Sequence, residues 1–136
     1  MTTTPAVLDH IKDVASLISE KKGQDTRIYD VREASNVTDF FLITSAFNQR
    51  HIKALCDELH THFKQNRIIV IGKEGIGDGN WALIDCGDFV IHIFEPDSRQ
   101  FYDLELIWGD APRIEWETDE PGRIENEGGR GDSEGD

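Results

Sequence analysis

Residues 81–94, WALIDCGDFVIHIF, constrain the fold more than any other stretch. Two runs with strand character, 81–85 and 89–94, flank Cys86-Gly87-Asp88, a tight-turn composition, and together they predict a β-hairpin. Because side chains alternate along a strand, Trp81, Leu83 and Asp85 fall on one side, and Ala82, Ile84 and Cys86 on the other. Val90, His92 and Phe94 likewise oppose Phe89, Ile91 and Ile93. Both faces of the hairpin are therefore largely apolar. That requires either burial from two sides or a face left open as a sticky surface.

The rest of the chain supplies layers for such a sheet. Val7, Leu8, Ile11, Val14, Ala15 and Ile18 recur at helical spacing from Pro5, predicting an amphipathic helix stopped by Gly23. Arg27 to Val31 and Asp39 to Ser45 read as two strands joined by a hairpin-like connection, the second containing the fully apolar FFLI. Asn48 is a good N-cap for a second helix with Ile52, Leu55, Cys56, Leu59 and Phe63 on one stripe. Ile68 to Ile71 gives a third strand, and Ser98 to Trp108 reads as a closing helix ended by Gly109. The order implies an α/β fold, with a five-stranded mixed sheet flanked by helices. At 136 residues there is room for one domain, assigned to 1–116. Beyond Pro112 only Ile114, Trp116 and Ile124 are large and apolar, too little surface to offset the entropy of ordering, and residues 117–136 are read as an acidic, disordered tail.

Charge and composition exclude several classes of function. The net charge is −13, which argues against a broad phosphate-binding surface and leaves little direct nucleic-acid contact. Two cysteines, Cys56 and Cys86, each in an apolar pattern, make neither a disulfide framework nor a zinc quartet. No apolar run approaches the roughly 20 residues that cross a bilayer, and Asp9, His10, Lys12 and Asp13 interrupt any secretory signal. The reading is a cytoplasmic protein with no membrane contact.

Candidate chemistry is weak throughout. The glycine cluster from Gly72 to Gly79 precedes a strand, whereas phosphate cradles precede a helix, and Glu74 and Asp78 would repel an anion. Cys56 and His60 lie four apart on one helix face, but no third ligand stands at a fixed short spacing, so no metal site is assigned. Ser45 and Ser98 lack a nucleophile motif, and Asp85 and Asp88 are accounted for as turn formers. The layout resembles the nucleotidyltransferase fold, whose active members carry a Gly-Ser at a helix start and alternating acids on a strand. Here the corresponding stretch is Thr44-Ser45-Ala46-Phe47-Asn48, the alternating acids are missing, and bulky Phe47 would crowd a triphosphate. A metal-dependent enzyme of that type is the alternative reading. The preferred one has no catalytic residue, cofactor or metal.

A longer ordered set carries more information. It comprises Thr38-Asp39, Arg50-His51, Glu74-Gly75, Trp81, Asp85, Gly87-Asp88, His92, Phe94, Arg99, Tyr102, Leu104-Glu105 and Trp108-Gly109-Asp110-Ala111-Pro112. On these residues the chain resembles the ribosomal silencing factor family, also called the Iojap family, over residues 6–116. Ser45-Ala46-Phe47, where a small Gly is usual, and Ile107, where Leu is usual, depart from the pattern. The resemblance implies a translational repressor that binds large-subunit ribosomal protein fourteen on the large ribosomal subunit and sterically blocks joining of the subunits when nutrients are scarce. It also allows homodimers. Trp, Tyr and Arg dominate binding hot spots, and Trp81, Arg99 and Tyr102 are the expected anchors. Leu83 and His92 join them, with Asp85 and Asp88 as partners for basic residues.

Overall fold

The computed structural model describes residues 5–36, 38–75, 80–96 and 110–117. Helix α1 (Pro5–Glu20) leads into strands β1 (Gln24–Asp30) and β2 (Phe40–Ser45), then helix α2 (Gln49–Gln65). Strands β3 (Gly72–Glu74), β4 (Trp81–Asp85), β5 (Phe89–Phe94) and β6 (Arg113–Ile114) follow. They form one sheet in the order β3-β4-β5-β2-β1-β6, with β2 and β5 parallel and every other neighbouring pair antiparallel. The mixed α/β class is as expected, with six strands among the described residues in place of five. The expected helix from Ser98 to Trp108 lies outside the described residues, as do 76–79 and everything from 118 onward.

The sixth strand comes from a segment whose composition gave no strand signal. Ile114 pairs with Ile28 and Arg113 with Tyr29 on the free edge of β1, and the Trp116 indole N–H donates to the Thr26 carbonyl at 3.0 Å. An open sheet edge offers unpaired backbone groups, so a short segment can be held there without a hydrophobic run of its own.

The helix ends explain the other differences. Lys22 sits at φ 76°, with Gly23 N–H donating to Ile18 O at 2.8 Å and Lys22 N–H to Ser19 O at 3.1 Å. This is a Schellman closure in which a lysine takes the left-handed position glycine usually fills. Gly23 is needed for space: a Cβ there would lie 2.3 Å from Ile18 Cγ2 and 3.1 Å from Thr44 Oγ1. Helix α2 closes in the same way, with Arg67 at φ 56° and Ile68 N–H donating to Phe63 O at 2.9 Å. Ile68 is thereby spent on the helix end and packs against the core. The third strand accordingly begins at Gly72, not Ile68, and Ile69 and Ile71 stand exposed.

At the other end of α2 the Asn48 side chain accepts the His51 N–H at 2.8 Å. His51 Nδ1 accepts the Phe47 N–H at 2.9 Å, so its hydrogen lies on Nε2, which donates to Lys21 O at 2.8 Å. One imidazole thus ties the start of α2 to the end of α1. Asn48→Ala should destabilise the domain by about 1 kcal/mol, read as a drop of about 4–8 °C in thermal melting.

Both helices lie on one face of the sheet. Ile11, Val14, Ala15 and Ile18 of α1 and Ile52, Leu55, Leu59 and Phe63 of α2 form one core with Phe40, Leu42, Ala82, Ile84, Ile91 and Ile93. The opposite face carries a second, smaller cluster of Tyr29, Val31, Phe41, Ile43 and Phe94, against which Trp81 and Ala111 pack. Every residue of β2 is buried, which is why its sequence does not alternate.

A candidate docking face on strands four and five

Strand register brings the hairpin residues together. Trp81 pairs with Phe94, Leu83 with His92 and Asp85 with Val90, so these six share the face turned away from the helices. Parallel pairing then sets Phe41 beside Val90 and Ile43 beside His92 on the same side. The two faces of β4 and β5 differ in burial. Ala82, Ile84, Ile91 and Ile93 are fully buried against the helices, whereas Trp81, Leu83, Asp85, Val90 and His92 each keep part of their surface accessible.

The aromatic groups on this face are interlocked. The Trp81 indole N–H donates to His92 Nδ1 at 3.2 Å, and the Trp81 ring stacks near His92 and Phe94 with centroids 6.3 Å away in each case. His92 lies 4.8 Å from Phe41, and its ring plane is nearly parallel to that of Phe94, at 7°. Burial holds the His92 imidazole well below its ordinary range, at about 4. An unfolded histidine titrates near 6.5, so between those values the unfolded chain binds the extra proton. Stability is therefore complete above 6.5 and declines as pH falls toward 4, by up to about 3 kcal/mol. The melting difference between wild type and His92→Asn should shrink between pH 7 and 4.5, which thermal melts can follow.

The acidic candidates separate. The Asp85 carboxylate accepts the Gly87 N–H at 2.8 Å inside the hairpin turn, where Gly87 takes φ 83°. Asp88 is exposed at the turn, and its carbonyl accepts from Asp39 and Phe40 N–H. Asp85 shares the aromatic face, and Asp88 stands at the end of the hairpin remote from Trp81. Arg99 and Tyr102 lie outside the described residues. Phe41 is new to the site, and Gly75, a signature position with no expected role at the interface, joins it. Phe41 needed the parallel β2–β5 register, but Gly75 had a signal in its place just before the Trp81 strand. It takes φ 78°, and a Cβ there would lie 2.3 Å from the Trp81 carbonyl oxygen.

Cys56, His60 and Cys86 are engaged or protected. His60 Nδ1 donates to Cys56 O at 3.0 Å, and its Nε2 accepts from Lys73 Nζ at 3.0 Å, so both ring nitrogens are used. Burial, with Asp57 adding to it, pushes the Cys56 thiol up to about 11, and burial with Asp85 pushes Cys86 up to about 12. Neither supplies a thiolate near neutral pH. Exposed Phe47 stacks on His51 in the first turn of α2, with centroids 4.9 Å apart.

The family model described as ribosomal silencing factor during starvation matches residues 4–134. The chain belongs to the ribosomal silencing factor family. It is 35% identical over 102 residues to the ribosomal silencing factor of Bacillus subtilis, covering 75% of this chain and 86% of that protein. It is 34% identical to the chloroplastic Iojap protein of Zea mays, covering 75% of this chain and 44% of that one. A crystal structure from Bacillus halodurans superposes with a TM-score of 0.70 at 29% identity, covering 79% of this chain and 98% of that one. Within this family frame Glu74-Gly75, Trp81, Asp85, Gly87-Asp88, His92 and Phe94 cease to be scattered signature positions. Gly75, Trp81, His92 and Phe94 form one contact set, and Asp85 and Gly87 form the turn that closes it.

Proposed function

We propose that this ribosomal silencing factor represses translation by binding the large ribosomal subunit through large-subunit ribosomal protein fourteen and sterically blocking subunit joining. No catalytic step is involved, and the setting is the cytoplasm under nutrient limitation. The observation that supports this reading is the face of Trp81, Leu83 and His92, signature or neighbouring positions that stay partly accessible while the residues alternating with them are buried. A partly open aromatic surface on a rigid sheet suits a protein interface. The net charge of −13 suits a basic ribosomal protein as partner and disfavours RNA around it. Arg99 and Tyr102 extend the contact in this reading. Asp85 and Asp88 meet basic side chains, self-association through homodimers is allowed, and the acidic segment 117–136 is dispensable.

Sedimentation tests it. Micromolar protein should travel with isolated large subunits and not with small subunits, and should lower the yield of joined ribosomes when small subunits are added. Absence of both effects would sink the proposal. Removing residues 118–136 should change neither readout.

A further inference from the structure

We infer that His92 and Gly75 are positioning residues that hold Trp81 in a single orientation, so that the docking face is formed before its partner arrives. The inference rests on the docking reading and adds how the anchor is set. Trp81 lies on β4 directly opposite Phe94, yet its indole N–H reaches His92, the residue opposite Leu83. The ring therefore leans along the sheet, and its polar edge meets an acceptor aimed at it from the next strand. Since His92 Nδ1 accepts, the imidazole carries its hydrogen on Nε2.

Gly75 acts from the other side. The site of a Cβ on Gly75 lies 2.3 Å from the Trp81 carbonyl oxygen and 3.2 Å from ring atom Cε3, and the backbone there is at φ 78°. Only glycine permits both that conformation and that approach. The indole is thus confined between a backbone at one edge and a hydrogen-bond acceptor at the other, with Phe94 stacked alongside. A partner meeting an already ordered ring avoids the loss of side-chain freedom on binding, which is worth about threefold to tenfold in affinity.

The variants His92→Phe and His92→Asn separate this role from simple packing. Phenylalanine keeps the ring contacts with Phe41 and Phe94 but leaves the indole N–H without its acceptor. Asparagine gives up the ring and keeps an acceptor close to the Nδ1 position. The full chain contains three tryptophans, Trp81, Trp108 and Trp116, so the Trp81 indole signal in a proton–nitrogen spectrum is assigned by its loss in Trp81→Phe.

In His92→Phe that signal should move and affinity for large subunits should fall about threefold to tenfold, with His92→Asn recovering most of both. Gly75→Ala should move the same signal and weaken binding at least as much. An unmoved indole signal in folded His92→Phe overturns the inference whether or not subunits bind. So does a His92→Asn variant no better than His92→Phe. If wild type binds subunits and Trp81→Ala binds equally well, the docking reading fails instead, and the spectra still decide whether the ring is clamped.

Discussion

Trp81→Ala should weaken binding to large ribosomal subunits by about 100-fold or more, equivalent to about 3 kcal/mol, while leaving a folded domain. Two features set the size. Trp81 is the largest side chain on the candidate face, and it keeps accessible surface while resting on His92 and Phe94. Truncation removes apolar area from the centre of the contact and leaves His92 Nδ1 without its donor. A fully buried tryptophan would cost about 3–5 kcal/mol of stability on the same change. A half-buried one on a sheet face should cost well under that. Thermal melts beside sedimentation distinguish the cases: a large drop in melting temperature would assign Trp81 to the core, and unchanged sedimentation would remove it from the interface.

Phe40→Ala should have the opposite profile, a loss of about 3–5 kcal/mol in stability with binding unchanged per folded molecule. Phe40 is 1% exposed at the start of the central strand, paired with Asp30 of β1 and Phe89 of β5, and it belongs to the helix-side core. The Arg32 guanidinium lies 5.5 Å above its ring, adding a cation–π contact that alanine cannot replace. A domain of this size has only about 5–15 kcal/mol in hand, so the melting temperature should fall by about 12 °C or more. In urea the midpoint should drop with little change in slope, the pattern of lost stability in an otherwise intact fold. A loss below about 1 kcal/mol would mean that the helix-side core does not depend on this ring.

These two residues also mark how far the sequence could be read. The hairpin of β4 and β5, the stripe of α2 and the Asn48 cap were legible because each is local. A turn triplet, a helical period and a capping side chain act within a few residues of one another. The partition of Trp81, Leu83 and Asp85 from Ala82 and Ile84 followed from the pleat alone. The same local signals misplaced the third strand. The run from Ile68 to Ile71 looks like a strand, yet Ile68 closes α2 and Ile69 and Ile71 are exposed. Arg113–Ile114 became a strand with no local signal, because the edge of β1 needed a partner.

The hairpin that dominates the sequence determined by itself that two apolar faces exist and which side chains belong to each, since alternation depends only on chain geometry. It could not say which face the helices cover. That choice was made in three dimensions, where α1 and α2 both pack on the side of Ala82, Ile84, Ile91 and Ile93 and leave Trp81, Leu83 and His92 on the other. The register of β4 on β5, which directs the Trp81 indole to His92, is likewise tertiary: it joins residues through hydrogen bonds between strands. Which residues can touch a partner depends on what is left uncovered. Covering is a property of the packed layers, not of any one stretch of chain.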